Sequence, residues 1–158
     1  MALDANALAA SADALIRLVD DLATQGRLDE ARRRLQQAAA EAPRERTDLA
    51  IAESRLLIEA RQPEEAYRVM DAALAAQPED ATLLYESAML AERTGRFDVL
   101  ERNLQKLIKL QPENAQAYNA LGYSLAERNL RLDEALTLIE KALALAPQDP
   151  FILDSRGW

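Results

Sequence analysis

The sequence has no cysteine and no histidine. The first absence excludes a disulfide framework, a thiolate nucleophile and a cysteine metal site. The second removes the commonest general base and the commonest metal ligand. Glycine and proline are sparse, at four and six residues, which leaves little punctuation for hairpins or Greek-key connections. Basic residues are outnumbered, 19 against 27 acidic, for a net charge of −8. Phosphate backbones need a basic surface, so this balance argues against a nucleic-acid partner and mildly against an anionic membrane. No segment approaches the roughly 20 apolar residues of a membrane span. The opening MALDANALAAS has neither the basic region nor the apolar run of a secretion signal. Taken alone, the chain reads as soluble and intracellular, hence cytoplasmic. Neither GxGxxG nor GxxxxGK(S/T) occurs, and no His or Lys constellation supports a serine or tyrosine nucleophile. The expectation is therefore no enzyme, no cofactor, no metal and no small-molecule substrate.

What is present is alanine, leucine, glutamate, arginine and glutamine, a set of helix formers. About half of the 158 residues are apolar, enough for one domain or a short repeat array. Pro43, Pro78, Pro112 and Pro147 stand 35, 34 and 35 residues apart. Each closes a similar phrase: AAAEAP, ALAAQP, LIKLQP, ALALAP. Between them recur GRLDEA, RQPEEA, GRFDVL and LRLDEA. A period near 34 with two helical patterns per unit signals stacked helix–turn–helix repeats. The repeats fall at 12–46, 47–80, 81–114 and 115–149. A first-helix stub occupies 150–158. Residues 1–11 extend the first helix or are left over from a preceding repeat, and Asp4 is a candidate cap for a long first helix.

Within a repeat, Asp29/Glu30, Glu64/Glu65 or Asp133/Glu134 open the second helix, where acids complement the helix dipole. Read instead as a catalytic dyad, such a pair would need one shared pocket; repetition along the chain favours the helix-opening role. Arg32, Arg33 and Arg34, with Arg44 and Arg46, read as a solvated outer face, the alternative being a docking patch. Gly122 and Ala135 are small where two helices must cross closely, with Tyr118, Leu121, Leu125 and Ile139 around them. In the third repeat the sides are exchanged. Leu100 and Leu107 stand where alanines are expected, facing Ser87, Ala88 and Ala91, so total volume is roughly kept.

Tyr118, Leu121, Gly122, Leu125, Ala135, Ile139, Ala142 and Pro147, in that order, resemble the tetratricopeptide repeat. The first repeat matches through Leu15, Leu18, Leu22, Ala31, Leu35, Ala38 and Pro43. The second departs at Glu53 and Ser54, in the large and small slots of its first helix. The resemblance implies an all-α, right-handed alpha-alpha superhelix whose first helices line a concave groove. Groove positions are Asp13, Ile16, Asp20 and Ala23 in the first repeat and Asp48, Ile51, Arg55 and Ile58 in the second. Thr82, Tyr85, Met89 and Glu92 follow in the third, Gln116, Asn119, Tyr123 and Ala126 in the fourth, and Phe151, Asp154 and Trp158 in the stub. An apolar, aromatic face rimmed by charge marks a protein or peptide site. The alternative is that these side chains pack between neighbouring first helices. Some family members grip a terminal carboxylate with lysine and asparagine. Ile16, Asp20, Ile51 and Arg55 stand at those positions, so that clamp is not expected.

LLYESAMLAERTGRFDVLERNLQKLI and NALGYSLAERNLRLDEALTLIEKALALAPQDPFILDSRGW are similar to the C-terminal half of tetratricopeptide lipoproteins of the proteobacterial envelope. Some of these are adaptors that bring cell-wall hydrolases to a carboxyl-terminal-processing protease. The resemblance implies a longer, lipid-anchored protein on the periplasmic side of the outer membrane. It also implies further repeats beyond Trp158. The last full helix, 130–146, would then have a partly uncovered apolar face near Leu143, Phe151 and Ile152. Fraying at 150–158 is one expected consequence. Self-association through this C-terminal end, as a structural assembly subunit, is the alternative function.

Overall fold

The computed structural model describes the backbone of residues 5–157 and the side chains of residues 13–156. The elements are α1 (Ala5–Thr24), α2 (Leu28–Glu41), α3 (Arg46–Glu59), α4 (Pro63–Ala76), α5 (Ala81–Arg93), α6 (Phe97–Leu110), α7 (Ala115–Glu127), α8 (Leu132–Leu145) and α9 (Pro150–Gly157). One 3-10 turn, Pro43–Glu45, precedes α3. Odd-numbered helices are the first helices of the repeats. Asp4, expected as a cap, lies outside the described residues.

Four turns inside the repeats share one geometry. The N–H groups of Arg27, Gln62, Arg96 and Leu130 donate to the carbonyls of Leu22, Leu57, Ala91 and Leu125, at 2.9, 2.8, 2.7 and 2.9 Å. The residue before each donor is left-handed: Gly26 (φ 79°), Arg61 (62°), Gly95 (76°) and Asn129 (57°). This is the Schellman closure, which satisfies carbonyls left open at a helix end. The extra residue of the fourth repeat is absorbed in this turn as Arg131, a second left-handed position at φ 42°. Its guanidinium pairs with Glu101 of α6 and, at 3.4 Å, with Glu134.

Second helices end differently. Ala42, Gln77, Gln111 and Ala146, each just before a proline, are extended, with φ from −128° to −140°. Proline forbids the helical conformation to its predecessor, so the stop is steric. Two residues past three of the prolines, Asp80, Asn114 and Asp149 cap the next helix. Their side chains accept from the N–H groups of Leu83 (3.0 Å), Ala117 (3.1 Å) and Phe151 (2.9 Å). Glu45, the counterpart after Pro43, makes no such cap, and the chain takes a 3-10 turn there.

The helices form two compact units that divide between Pro78 and Glu79. In the first, Val19, Leu22, Ala31, Leu35, Leu49 and Leu56 form the core of α1, α2 and α3. Leu18, expected among the matching residues of the first repeat, is instead 43% exposed, and Val19 is fully buried beside it. The corresponding position of α3 explains why: Glu53 lies against α2, the preceding second helix, and no described helix covers that side of α1. Glu53 is only 6% exposed. Its Oε1 accepts from Arg32 Nε at 3.0 Å and from Gln36 Nε2 at 2.8 Å, and Arg32 reaches Glu65 at 3.4 Å. A carboxylate in an apolar slot is thus held by charge-assisted bonds. Arg32 belongs to this internal network, neither to a solvated face nor to a docking patch.

In the second unit the exchanged sides of the third repeat pack as expected. Leu100, Leu104 and Leu107 are fully buried against the small face of α5, where Ser87, Ala88 and Ala91 are also fully buried. Asn103 Nδ2 donates to Ser87 Oγ at 3.1 Å inside this contact. In the fourth repeat, a Cβ added at Gly122 would stand 2.8 Å from the Ala135 carbonyl oxygen and 2.8 Å from Ile139 Cγ1. One neighbour is backbone, so α7 and α8 would have to separate.

Gly122→Ala is therefore expected to lower stability by about 1–3 kcal/mol, as overpacking does, read as a lower urea midpoint. Glu53→Ala leaves Arg32 and Gln36 short of an acceptor and is expected to cost about 1–3 kcal/mol. The double variant Arg32→Met/Glu53→Met should recover much of that loss, because a buried pair is replaceable by apolar volume. Equal midpoints for Glu53→Ala and the parent would remove the network from the account of this fold.

Candidate functional site

Helices α5, α7 and α9 each carry polar and aromatic side chains at steps of three and four, joined on α5 by a thioether, which places them on one helix face. On α5 these are Tyr85, Met89 and Glu92; on α7, Gln116, Asn119 and Tyr123; on α9, Phe151 and Asp154. Together they line an open cleft of about 940 Å³ within the second unit. Ala120, Leu153 and Ser155 complete the lining. The small side chain of Ala120 leaves room between the aromatic groups. The Asp149 cap that starts α9 also accepts from Gln116 Nε2 at 2.9 Å, tying α9 to α7.

Carboxylates dominate the electrostatics of the cleft, with one cation, Arg128, acting on Glu92. Burial first, then the Glu127 carboxylate, push Glu92 above the usual carboxylate range, with the Ser124 hydroxyl and the Arg128 guanidinium pulling the other way. Burial first, then Glu86 and Glu92, raise the Tyr85 phenol. Arg128 is held elsewhere, with its guanidinium 4.2 Å from the Phe97 ring centre and its Nε donating to the Ser124 carbonyl at 3.2 Å. Asn119 contributes a buried side-chain oxygen without a hydrogen-bond donor, an unusual state for a buried acceptor.

Of the groove positions read from sequence, Tyr85, Met89, Glu92, Gln116, Asn119 and Tyr123 come together in this cleft, as do Phe151 and Asp154, whereas Thr82 and the buried Ala126 do not line it. Trp158 lies outside the described residues. Ile16, Asp20, Ile51, Arg55 and Ile58 belong to the first unit and do not line the cleft. Asp20 and Arg55 are exposed, and Ile16 and Ile58 are half-buried. Ile51 is buried, at 7% exposure. It fits the alternative of packing between first helices, since α1 and α3 touch each other. Glu127 and Ser155 were not singled out in sequence. A one-residue step from Asp154 gives Ser155, but Glu127 follows only from where α7 ends. Among the described residues there is no cluster of three metal-ligating side chains, and no helix is long and apolar enough to cross a membrane.

Residues 51–99 and 101–150 each match the family model of the tetratricopeptide repeat. A TPR repeat-containing protein of Pseudomonas aeruginosa is 43% identical over 145 residues, covering 92% of this chain and 25% of that protein. The chain thus spans about a quarter of that relative's length. Among solved structures, YrrB, a TPR protein with an unusual peptide-binding site, is similar at a TM-score of 0.68 and 20% identity, over 89% of this chain and 71% of its own. A tetratricopeptide repeat protein of Parabacteroides merdae reaches 0.72 at 19% identity, over 90% and 56%. MamA reaches 0.68 at 19%, over 88% and 80%. At these identities the structures show the fold alone. With its helix pairs, their Schellman turns and two matched stretches that take up most of its length, the chain belongs to the tetratricopeptide repeat family.

Proposed function

We propose that this chain is a non-enzymatic interaction module that holds an extended protein or peptide segment in the cleft of its second unit. The tetratricopeptide-repeat fold supports a protein–protein interaction role. The observation that carries the reading is the cleft itself. Tyr85, Met89, Asn119 and Tyr123 bring aromatic, thioether and amide groups to one open surface of α5 and α7. Such side chains give large contact area and adaptable polar contacts at interfaces. YrrB, of the same fold, has a peptide-binding site, which supports a peptide as the ligand class here.

The finer reading is an adaptor. The sequence resemblance to envelope lipoproteins supports a periplasmic, outer-membrane-anchored parent protein. That protein would deliver cell-wall hydrolases to a processing protease. A pull-down from a proteobacterial envelope extract tests both levels, with the Tyr85→Ala/Tyr123→Ala variant as control. Both tyrosines are only half-buried, so the variant is expected to keep the helical circular dichroism of the parent. The expected result is a hydrolase and its protease retained by the parent, with the hydrolase lost from the variant. Equal retention by both would remove the cleft from the reading.

A second reading, self-association, has its own observation. Phe151 is 74% exposed, and Leu132, Leu136 and Leu153 are about half exposed, whereas Ile152, expected on the uncovered face, is fully buried. Leu132 and Leu136 are one helical turn apart on α8 and form a stripe outside the cleft. Assembly through this stripe would make the sedimentation coefficient rise with concentration, and Leu132→Lys/Leu136→Lys would abolish the rise. A concentration-independent monomer would end this reading.

A further inference from the structure

The polar groups of the cleft are unevenly supplied. Two carboxylates line it, Glu92 and Asp154, and among the described residues no lysine or arginine does. The lining's donors are in part already used. Gln116 gives an amide hydrogen to Asp149 at 2.9 Å, and the Ser155 hydroxyl donates to the Phe151 carbonyl at 3.0 Å. Acceptors are left over, and the Asn119 oxygen is buried without a donor. The Arg128 cation acts on Glu92 from outside the lining, stacked on Phe97 and bonded through Nε to a backbone carbonyl, with its Nη2 buried and unpartnered. Glu127 adds negative charge behind Glu92.

An occupant that suits this surface brings hydrogen-bond donors and positive charge, and can lie against aromatic faces. Lysine and arginine side chains do all three. Their apolar stems pack on rings, their heads donate to carboxylates and carbonyl oxygens, and they bind ring faces by cation–π attraction. A ligand with an acidic side chain or a terminal carboxylate would instead be repelled by Glu92 and Asp154. Such repulsion supplies specificity even where the attraction is modest.

We propose that the cleft of α5, α7 and α9 selects extended protein segments that carry lysine or arginine, with cationic side chains pairing with Glu92 or with Asp154 and their stems lying along Tyr85 and Tyr123. The proposal rests on the cleft being the binding site. It adds the chemical class of the segment and predicts discrimination against acidic ones.

Panning a random dodecapeptide phage library on the immobilised chain, followed by sequencing of the selected pools, tests it. The parent is expected to enrich lysine and arginine over glutamate and aspartate by about fivefold, the upper range for a partly exposed ion pair. The Glu92→Gln/Asp154→Asn variant should still enrich peptides but lose the charge bias. The Asp71→Asn/Glu140→Gln variant removes the same charge from exposed positions outside the cleft and should keep the bias. A bias that survives in Glu92→Gln/Asp154→Asn, or is lost equally in both charge variants, overturns the proposal in favour of general attraction to an acidic protein. Enrichment without charge bias, abolished by Tyr85→Ala/Tyr123→Ala, overturns the proposal and leaves the cleft as the site. Enrichment untouched by the tyrosine variant, or no enrichment by the parent, overturns both.

Discussion

Close approach of α7 to α8 at Gly122 is the contact on which the cleft most directly depends. Backbone meets side-chain position there with no space for a methyl group. That contact fixes how α7 lies on its partner, and therefore where Asn119 and Tyr123 stand on its other face. The third repeat meets the same geometric demand by the opposite choice, with Ser87, Ala88 and Ala91 on the first helix and leucines on the second. The physical requirement is a small surface on one side of each crossing, and the chain satisfies it from either side.

Helix positions were legible because their signals are local. Prolines spaced near 34 residues mark the ends of second helices by steric exclusion, and glycines at 26 and 95 mark two turns by their positive φ. Arg61 and Asn129 hold the same conformation without being glycine, so only the repeat period reveals them. The cap positions Asp80, Asn114 and Asp149 were equally present in the sequence as Pro-x-Asp or Pro-x-Asn phrases.

The site was less legible, because a helix face is known only once its neighbours are placed. Spacing put Tyr85, Met89, Asn119 and Tyr123 on one helix face of each repeat, and these four line one cleft. The same spacing put Ile51 there too, yet Ile51 is buried. Periodicity tells which residues share a face and not whether another helix covers it. Leu18 shows the converse, an apolar residue in a core register with no described helix over it. The charge of the cleft was also out of reach, since Glu127 acts on Glu92 from a different helix.

The Glu53 carboxylate has a consequence for how the array could have been assembled. Repeats of one family are often treated as interchangeable modules joined by a common apolar seam. Here the seam between the first two repeats is keyed: α3 presents an acid that only a preceding helix bearing Arg32 and Gln36 can neutralise. At the positions equivalent to Arg32 and Gln36, the third repeat carries Glu101 and Gln105 and the fourth Leu136 and Glu140. Moving the second repeat behind either of these neighbours would bury the Glu53 carboxylate without a cation. The order of the first two repeats is thus written into the chain as a lock-and-key pair, and a recombination event that shuffled them would be selected against at the level of folding.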